Sequence, residues 1–307
     1  MRVTVVGAGV IGLTCAVRLA EAGHEVSVTS AEPPAGTTSA VAGALWYPYR
    51  AWPPEDVTRW ARRSREVFCA LAAHETPGVL LRPGRELLRA PAADPWWAVA
   101  VPDLRRLPTA ELPAGFADGF GFTAPVLDMG RYLRWLVEQA AGLRVRFGLR
   151  RLSGLGEVAG DAVVNCAGLG AGELVGDAEL VPIRGQVVRL ANPGLTDWVL
   201  DEQNPAGLTY VIPRIEDVVC GGTADIGTGS GGCDPAVEQA ILARGRVLVP
   251  ELADAAVLSR AAGVRPARRS VRLEREGRFV HCYGHGGAGV TLSWGCAEEV
   301  RDLVGAA

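Results

Sequence analysis

Residues 2–6 (RVTVV) are an apolar run that ends at a glycine, the pattern of a short buried strand. Residues 12–22 (GLTCAVRLAEA) carry apolar side chains at helical spacing, and Gly23 predicts where that helix stops. HEVSVTS then alternates polar and apolar positions, so a second strand follows and the chain opens with a βαβ unit. Asp128 is placed to cap a helix through RYLRWLVEQAA, whose Leu133, Leu136, Val137 and Ala140 share one face. RVRFG at 144–148, AVVNCAG at 162–168, and QVVRL, TYVIP and DVVCGG between 186 and 222 read as strands. A helix is expected at 235–249, a strand at 279–283 (FVHCY), and a closing helix from about 291 to 304. Between Trp52 and Ala124 tryptophan and proline become frequent; a surface helix is expected at 59–74 and loops elsewhere. GTGSGG at 227–232 is expected to be a loop and not a ligand site.

Composition narrows the chemistry. The 307 residues are 49% hydrophobic and 21% charged, which fits a globular chain with a sizeable core. A net charge of -3 argues against a nucleic-acid-binding face. All 31 basic residues are arginine, so a pyridoxal-phosphate Schiff base and a P-loop are both excluded, since each needs a lysine. The seven cysteines (15, 69, 166, 220, 233, 282, 296) form no CxxC pair, so no metal site is expected and a reducing cytoplasm is. The chain enters a strand at residue 2 and no run reaches the ~18 apolar residues of a span, so neither a leader nor a membrane segment is expected.

Three motifs carry chemistry. Residues 7–12 (GAGVIG) match GxGxxG between a strand and a helix: Gly7 for the turn, Gly9 for approach of a pyrophosphate, Gly12 for helix–strand packing. Glu32 has the spacing of a ribose ligand and Ser30 the usual strand-end position, and both are candidates. Residues 283–296 (YGHGGAGVTLSWGC) place four glycines at a helix start, a nest of backbone N–H groups that attracts negative charge; the plainer alternative is a tight turn, with His285 structural. In 263–275 (GVRPARRSVRLER), Pro266 holds Arg265 extended, and a fixed guanidinium suits a carboxylate, although most arginines in such a crowd are solvated.

In this order the motifs resemble the D-amino acid oxidase family, which includes D-aspartate oxidase. The resemblance runs through GAGVIGL (7–13), TTSAVAGALWYPY (37–49), VVNCAG (163–168), GQVV (185–188), LTYVIP (208–213), GVRPARRSVRLERE (263–276) and YGHGGAGVTLSWGCA (283–297). It implies an α/β fold in which a Rossmann-like FAD-binding domain (1–51, 128–181, 264–307) is interleaved with an antiparallel-sheet substrate domain (52–127, 182–263).

It further implies that Arg265 pairs with the substrate carboxylate, Tyr210 adds a hydroxyl to it, and the Gly287 carbonyl receives the substrate amine. Non-covalent FAD would meet Gly7, Ala8, Gly9, Val10, Ile11, Gly12 and Glu32, then Thr37, Thr38, Ser39, Gly43, Ala44 and Leu45. Leu152, Ala167, Gly168, Gly286, Gly287, Gly289, Val290 and Thr291 would complete its surroundings. Tyr47, Tyr49, Ala206 and Ala224 would line the substrate side. The family's reaction sends the α-hydrogen to flavin N5 as hydride with no side-chain base, and oxygen reoxidises the flavin to give hydrogen peroxide.

Ala206 stands where many members carry a lid tyrosine, the lid at about 201–209 looks short, and Ala224 replaces an arginine of the aspartate-specific branch. Neutral D-amino acids are therefore the expected substrates, with glycine or sarcosine oxidation, D-aspartate oxidation, a quinone-linked dehydrogenase and a non-catalytic flavin-binding protein as alternatives. No nucleic-acid or membrane partner is expected, and a homodimer is one assembly considered. The C-terminal LVGAA lacks an SKL-type address, which fits a bacterial cytoplasmic enzyme.

Overall fold

The computed structural model describes residues 1–49, 51–227 and 232–306. In chain order the elements are β1 (Arg2–Val6), α1 (Val10–Glu21), β2 (Glu25–Ser30), α2 (Thr38–Val41), α3 (Pro54–Ala73), β3 (Val79–Leu88) and β4 (Arg105–Arg106). Then come β5 (Asp118–Leu127), α4 (Met129–Gly142), β6 (Arg146–Leu149), β7 (Ala162–Asn165), α5 (Ala171–Val175), β8 (Val181–Ala191) and β9 (Trp198–Asp201). The rest are β10 (Thr209–Pro213), β11 (Asp217–Gly221), β12 (Asp225–Ile226), α6 (Pro235–Leu248), β13 (Val257–Glu276), β14 (Phe279–His285) and α7 (Gly289–Gly305). Of the glycine-rich 227–232 segment, residues 228–231 lie outside the described residues.

One sheet runs through the molecule in the order β4-β5-β3-β9-β10-β11-β8-β13-β14-β7-β1-β2-β6. From β14 to β6 the pairing is parallel, with Val5 opposite both Val28 and Val164. Of these, β1 and β7 are buried on both faces, which explains their valine-rich runs. Beyond β14 the pairing turns antiparallel apart from β3 with β9, which run parallel. The 20-residue β13 joins the two regimes: Val257 to Ala267 pair with β8, and Arg272 to Glu276 pair with β14. Helices α1 and α7 lie against each other, α1 on β1 and β2 and α7 on β14, with α4 against α1 and α3 against α7. The Thr14 hydroxyl donates to the Ser293 carbonyl at 3.2 Å across the α1–α7 contact.

The opening βαβ unit, the strands from 144 to 222, the helix at 235 and the closing strand and helix all form where expected. Asp128 does cap α4, accepting from the Gly130 N–H at 3.0 Å. One expectation is corrected. Loops fill only part of the stretch after Trp52, about 89–117, because β3 and β5 pair over ten residues each. Its helix lies at the surface as expected, but α3 begins earlier, at Pro54, and buries Val57, Trp60, Ala61, Ser64 and Phe68 on one face. The arginine-rich 263–275 segment is strand throughout, as part of β13.

Candidate functional site

An elongated cavity of about 480 Å³ follows the C-terminal edge of the parallel strands, the usual ligand crevice of such sheets. Its floor is the turn from β1 to α1. Gly7 holds φ at +112°, and a Cβ there would lie 2.4 Å from the Cys166 carbonyl oxygen. A Cβ at Gly12 would lie 2.0 Å from the Gly7 carbonyl oxygen, so α1 rests directly on the turn. Gly9 differs: its backbone is extended, and a Cβ would meet only the Ser39 hydroxyl, at 3.1 Å. The first-turn amides of a helix lack acceptors within it. That of Val10 is met by Ser39 Oγ at 3.0 Å, while Ile11 lines the cavity. The N-terminus of α7, with Gly289 and Val290, enters the same space, so two helix dipoles favour a negatively charged guest.

Most residues expected at a dinucleotide lie on this wall: Gly7, Gly9, Val10, Ile11, Glu32, Thr37, Thr38 and Ser39, then Gly43, Ala44 and Leu45. Leu152, Ala167, Gly168, Gly286, Gly287, Gly289 and Val290 do as well. Three are not brought to it. Ala8 is buried in the core, Gly12 faces Gly7, and Thr291 is turned away by its bonds to Tyr47. The Thr291 hydroxyl accepts from the Tyr47 N–H at 3.0 Å and donates to the Tyr47 carbonyl at 2.9 Å. Ser30 and Glu32 both reach the cavity, and the Ser30 hydroxyl donates to the Glu32 carbonyl at 2.6 Å. A long cavity with two positive helix ends, a close-packed glycine turn and apolar walls fits a dinucleotide of the FAD kind.

At the other end of the cavity stand Arg265 and Tyr210. The Arg265 guanidinium donates to the Thr223 carbonyl at 2.9 Å, and among the described residues no carboxylate pairs with it. Gly185 on the neighbouring strand makes room, since a Cβ there would sit 2.4 Å from Nη1. Of the rest of the arginine run, Arg268 pairs with Asp177 at 3.0 Å, Arg272 pairs with Glu274 at 2.6 Å, Arg275 donates to the Gly277 and Leu303 carbonyls, and Arg269 is exposed. Gly221 and Gly222 hold the Tyr210 ring; a Cβ on Gly221 would lie 2.1 Å from it. Burial raises the Tyr210 phenol above its usual range although Arg265 pulls the other way, so it stays a neutral donor. Tyr49 packs on Gly287, where a Cβ would lie 2.4 Å from the ring.

A second cavity of about 560 Å³ adjoins the first through Tyr47, Tyr49, Glu202 and Leu208, and carries Ala206 and Ala224 on its wall. Arg244 on α6 lines it too. Its guanidinium donates to the carbonyls of Ala206 at 3.1 Å, Leu208 at 3.4 Å and Gly222 at 3.2 Å, and to Thr209 Oγ1 at 3.2 Å, which fastens the short 202–208 turn. Sequence reasoning missed Arg244 and Glu86. Buried Glu86 accepts from the Tyr47 hydroxyl at 2.8 Å; burial raises both groups, keeping Tyr47 the donor. The only signal for Glu86 was its place in a strand masked by proline and glycine.

Known proteins place this geometry. A family model described as FAD dependent oxidoreductase matches residues 2–303. A D-amino-acid oxidase of Rubrobacter xylanophilus is 52% identical over 314 residues, covering 100% of this chain and 96% of that protein. A D-amino-acid oxidase of Streptomyces coelicolor is 44% identical over 316 residues, covering 98% of this chain and 96% of that protein. The solved structure of glycine oxidase from Geobacillus kaustophilus superposes with a TM-score of 0.83 at 21% identity, covering 99% of this chain and 95% of its own, and shares the fold. This chain belongs to the family of FAD-dependent oxidoreductases.

Proposed function

We propose that the chain oxidises neutral D-amino acids to 2-oxo acids, with ammonia and hydrogen peroxide as the other products. The observation that carries this reading is Arg265, a guanidinium without a carboxylate partner among the described residues, beside the neutral Tyr210 phenol in the family's cavity. Its planar fork suits a carboxylate bound at two points. Tyr210 donates a third hydrogen bond, and the Gly287 carbonyl accepts from the amine, so the α-carbon is fixed by groups on both sides. Gly7, Gly9, Val10 and Ile11 would hold the pyrophosphate of FAD, Ser30 or Glu32 its ribose, and Thr37, Thr38, Ser39, Gly43, Ala44 and Leu45 with Gly168, Gly286, Gly289 and Val290 would line its remaining length. FAD, when bound, supplies the two-electron acceptor for the α-hydrogen and the route to oxygen. We also propose the division into a flavin part (1–51, 128–181, 264–307) and a substrate part (52–127, 182–263), which the change from parallel to antiparallel pairing supports.

Neutral substrates are favoured by the outer cavity. Among the described residues on its wall the arginine is Arg244, committed to four protein oxygens, and Asp225 is already paired with Arg184 at 3.4 Å. A side-chain carboxylate would be desolvated there without a partner. Against D-alanine, D-valine and D-methionine, D-aspartate is expected to have a kcat/KM lower by at least ~10-fold, about 1.4 kcal/mol. The test is peroxide release over a panel that adds glycine and sarcosine. Fastest turnover of D-aspartate or glycine would replace this reading, and dye reduction without peroxide would indicate a dehydrogenase.

Two smaller effects are expected. Tyr210→Phe removes one hydrogen bond to a charged group, about 1.5–3 kcal/mol. That is roughly a 10- to 150-fold loss of kcat/KM, mostly through KM. An unchanged KM would remove Tyr210 from the carboxylate site. Acid or heat is expected to release all the flavin as free FAD, because the cavity would hold it through the glycine turn and the helix N-termini, which unfolding removes. Flavin retained by the denatured chain would indicate a covalent link.

A further inference from the structure

Four of the seven cysteines meet at one point behind the flavin-side cavity. Cys15 comes from α1, Cys166 from the residue after β7, Cys282 from β14 and Cys296 from α7; none is more than 7% exposed. The sulfurs of Cys15, Cys166 and Cys282 all lie within 4.8 Å of one another, and so do the donor atoms of Cys282, His285 and Cys296. Cys15 Sγ is 3.9 Å from Cys166 Sγ, and Cys282 Sγ is 3.9 Å from His285 Nε2.

These spacings discriminate between chemistries. Metal–sulfur bonds of about 2.3 Å put two sulfurs of one ion ~3.8–4.0 Å apart. A disulfide needs ~2.05 Å, so it would require nearly 2 Å of closure in a packed core. We propose that Cys15, Cys166 and Cys282 form a binding site for a thiophilic d10 metal ion of the zinc or monovalent-copper class, with Cys296 and His285 as the adjoining donors. Soft thiolate ligands select such ions. Each thiol that coordinates gives up its proton to solvent. The ligands come from chain segments that are far apart in sequence, which is why no CxxC spacing announced them. Cys166, Cys282 and His285 also line the cavity, so the ion has a path in before the cofactor covers it. The alternative is that the thiols serve as small apolar fillers; it predicts no saturable binding.

The test uses the full-length chain, stripped of flavin and titrated with Cd(II), whose thiolate charge-transfer absorbance reports each Cd–S bond. The expected result is saturation at one equivalent per chain, displaced competitively by Zn(II). Cys282→Ala should lose that absorbance, while Cys69→Ala and Cys220→Ala keep it. Cys15→Ala provides a second variant should Cys282→Ala fail to fold. FAD added first should slow uptake. The proposal is overturned if no one-equivalent saturation is seen, if the absorbance survives both ligand substitutions, or if FAD leaves uptake unchanged. The readout is independent of turnover, so its failure and that of the proposed activity are distinguishable.

Discussion

Arg265→Ala is expected to lower kcat/KM for D-alanine by roughly 30- to 5,000-fold. Removing one member of a desolvated charge pair costs about 2–5 kcal/mol, mostly because the other charge is left without its partner. Neighbouring arginines cannot take over cheaply: Arg268 is held at 3.0 Å by Asp177, whose side chain is 7% exposed, Arg272 by Glu274 at 2.6 Å and the Tyr283 hydroxyl at 2.8 Å, and the exposed Arg269 does not line the cavity. Arg265→Lys should recover only part of the loss, since an ammonium offers a point charge where the site is built for a fork. Gly185→Ala provides an independent handle. Its Cβ would sit 2.4 Å from Nη1 and push the guanidinium off its bond to the Thr223 carbonyl without removing any charge. Initial-rate kinetics of the three variants, with flavin content measured on each, would check this. Near-normal kcat/KM in Arg265→Ala at full flavin content would mean that the carboxylate is bound elsewhere.

The parts of the fold that were legible in the sequence are those governed by local pattern. The valine runs of β1 and β7 and the helical spacing of α1 and α4 reflect burial that each segment meets largely on its own. β3 was hidden because Pro83 and Gly84 interrupt it. Gly84 is not a breaker: a Cβ there would lie 2.3 Å from the Trp198 ring, so the glycine is the seat of a residue more than a hundred positions away. β13 was hidden by its arginines, whose charge reads as solvent exposure until Asp177 and Glu274 are seen to face them.

The candidate site divides in the same way. GAGVIG states its own geometry, because the glycines respond to contacts within the turn and to Cys166. Arg265 stood out from its neighbours only through family resemblance, since what distinguishes it is its place on the cavity wall, which Arg268, Arg269 and Arg272 do not share. Glu86 and Arg244 were missed because the groups they serve, Tyr47 and the 202–208 turn, lie 35 or more residues away for all but Gly222.

Replacing the glycines of the β1–α1 turn one at a time is expected to separate the fold from the cofactor. In Gly12→Ala the new Cβ would lie 2.0 Å from the Gly7 carbonyl oxygen, and in Gly7→Ala it would lie 2.4 Å from that of Cys166. Both obstacles are backbone, so α1 must move off the sheet, an overpacking cost of about 1–3 kcal/mol. Gly7→Ala adds the strain of holding φ at +112° with a side chain. These two variants should therefore lose thermal stability even without FAD. Gly9→Ala should lose far less, because its φ of -75° suits alanine and its nearest neighbour at 3.1 Å is not backbone but the Ser39 hydroxyl, which need shift only slightly on its bond to the Val10 N–H. The space beside Gly9 opens on the cavity, so its methyl group meets a clash only when a pyrophosphate approaches the backbone. Loss of the same 1–3 kcal/mol there would appear as a roughly 5- to 150-fold weaker FAD affinity at little-changed apoprotein Tm. Thermal denaturation of the flavin-free chains, with fluorescence titration of FAD into each, would read both quantities. Equal loss of apoprotein Tm in all three would show that the turn is a packing feature alone. Unchanged FAD affinity in Gly9→Ala would place the pyrophosphate away from this turn.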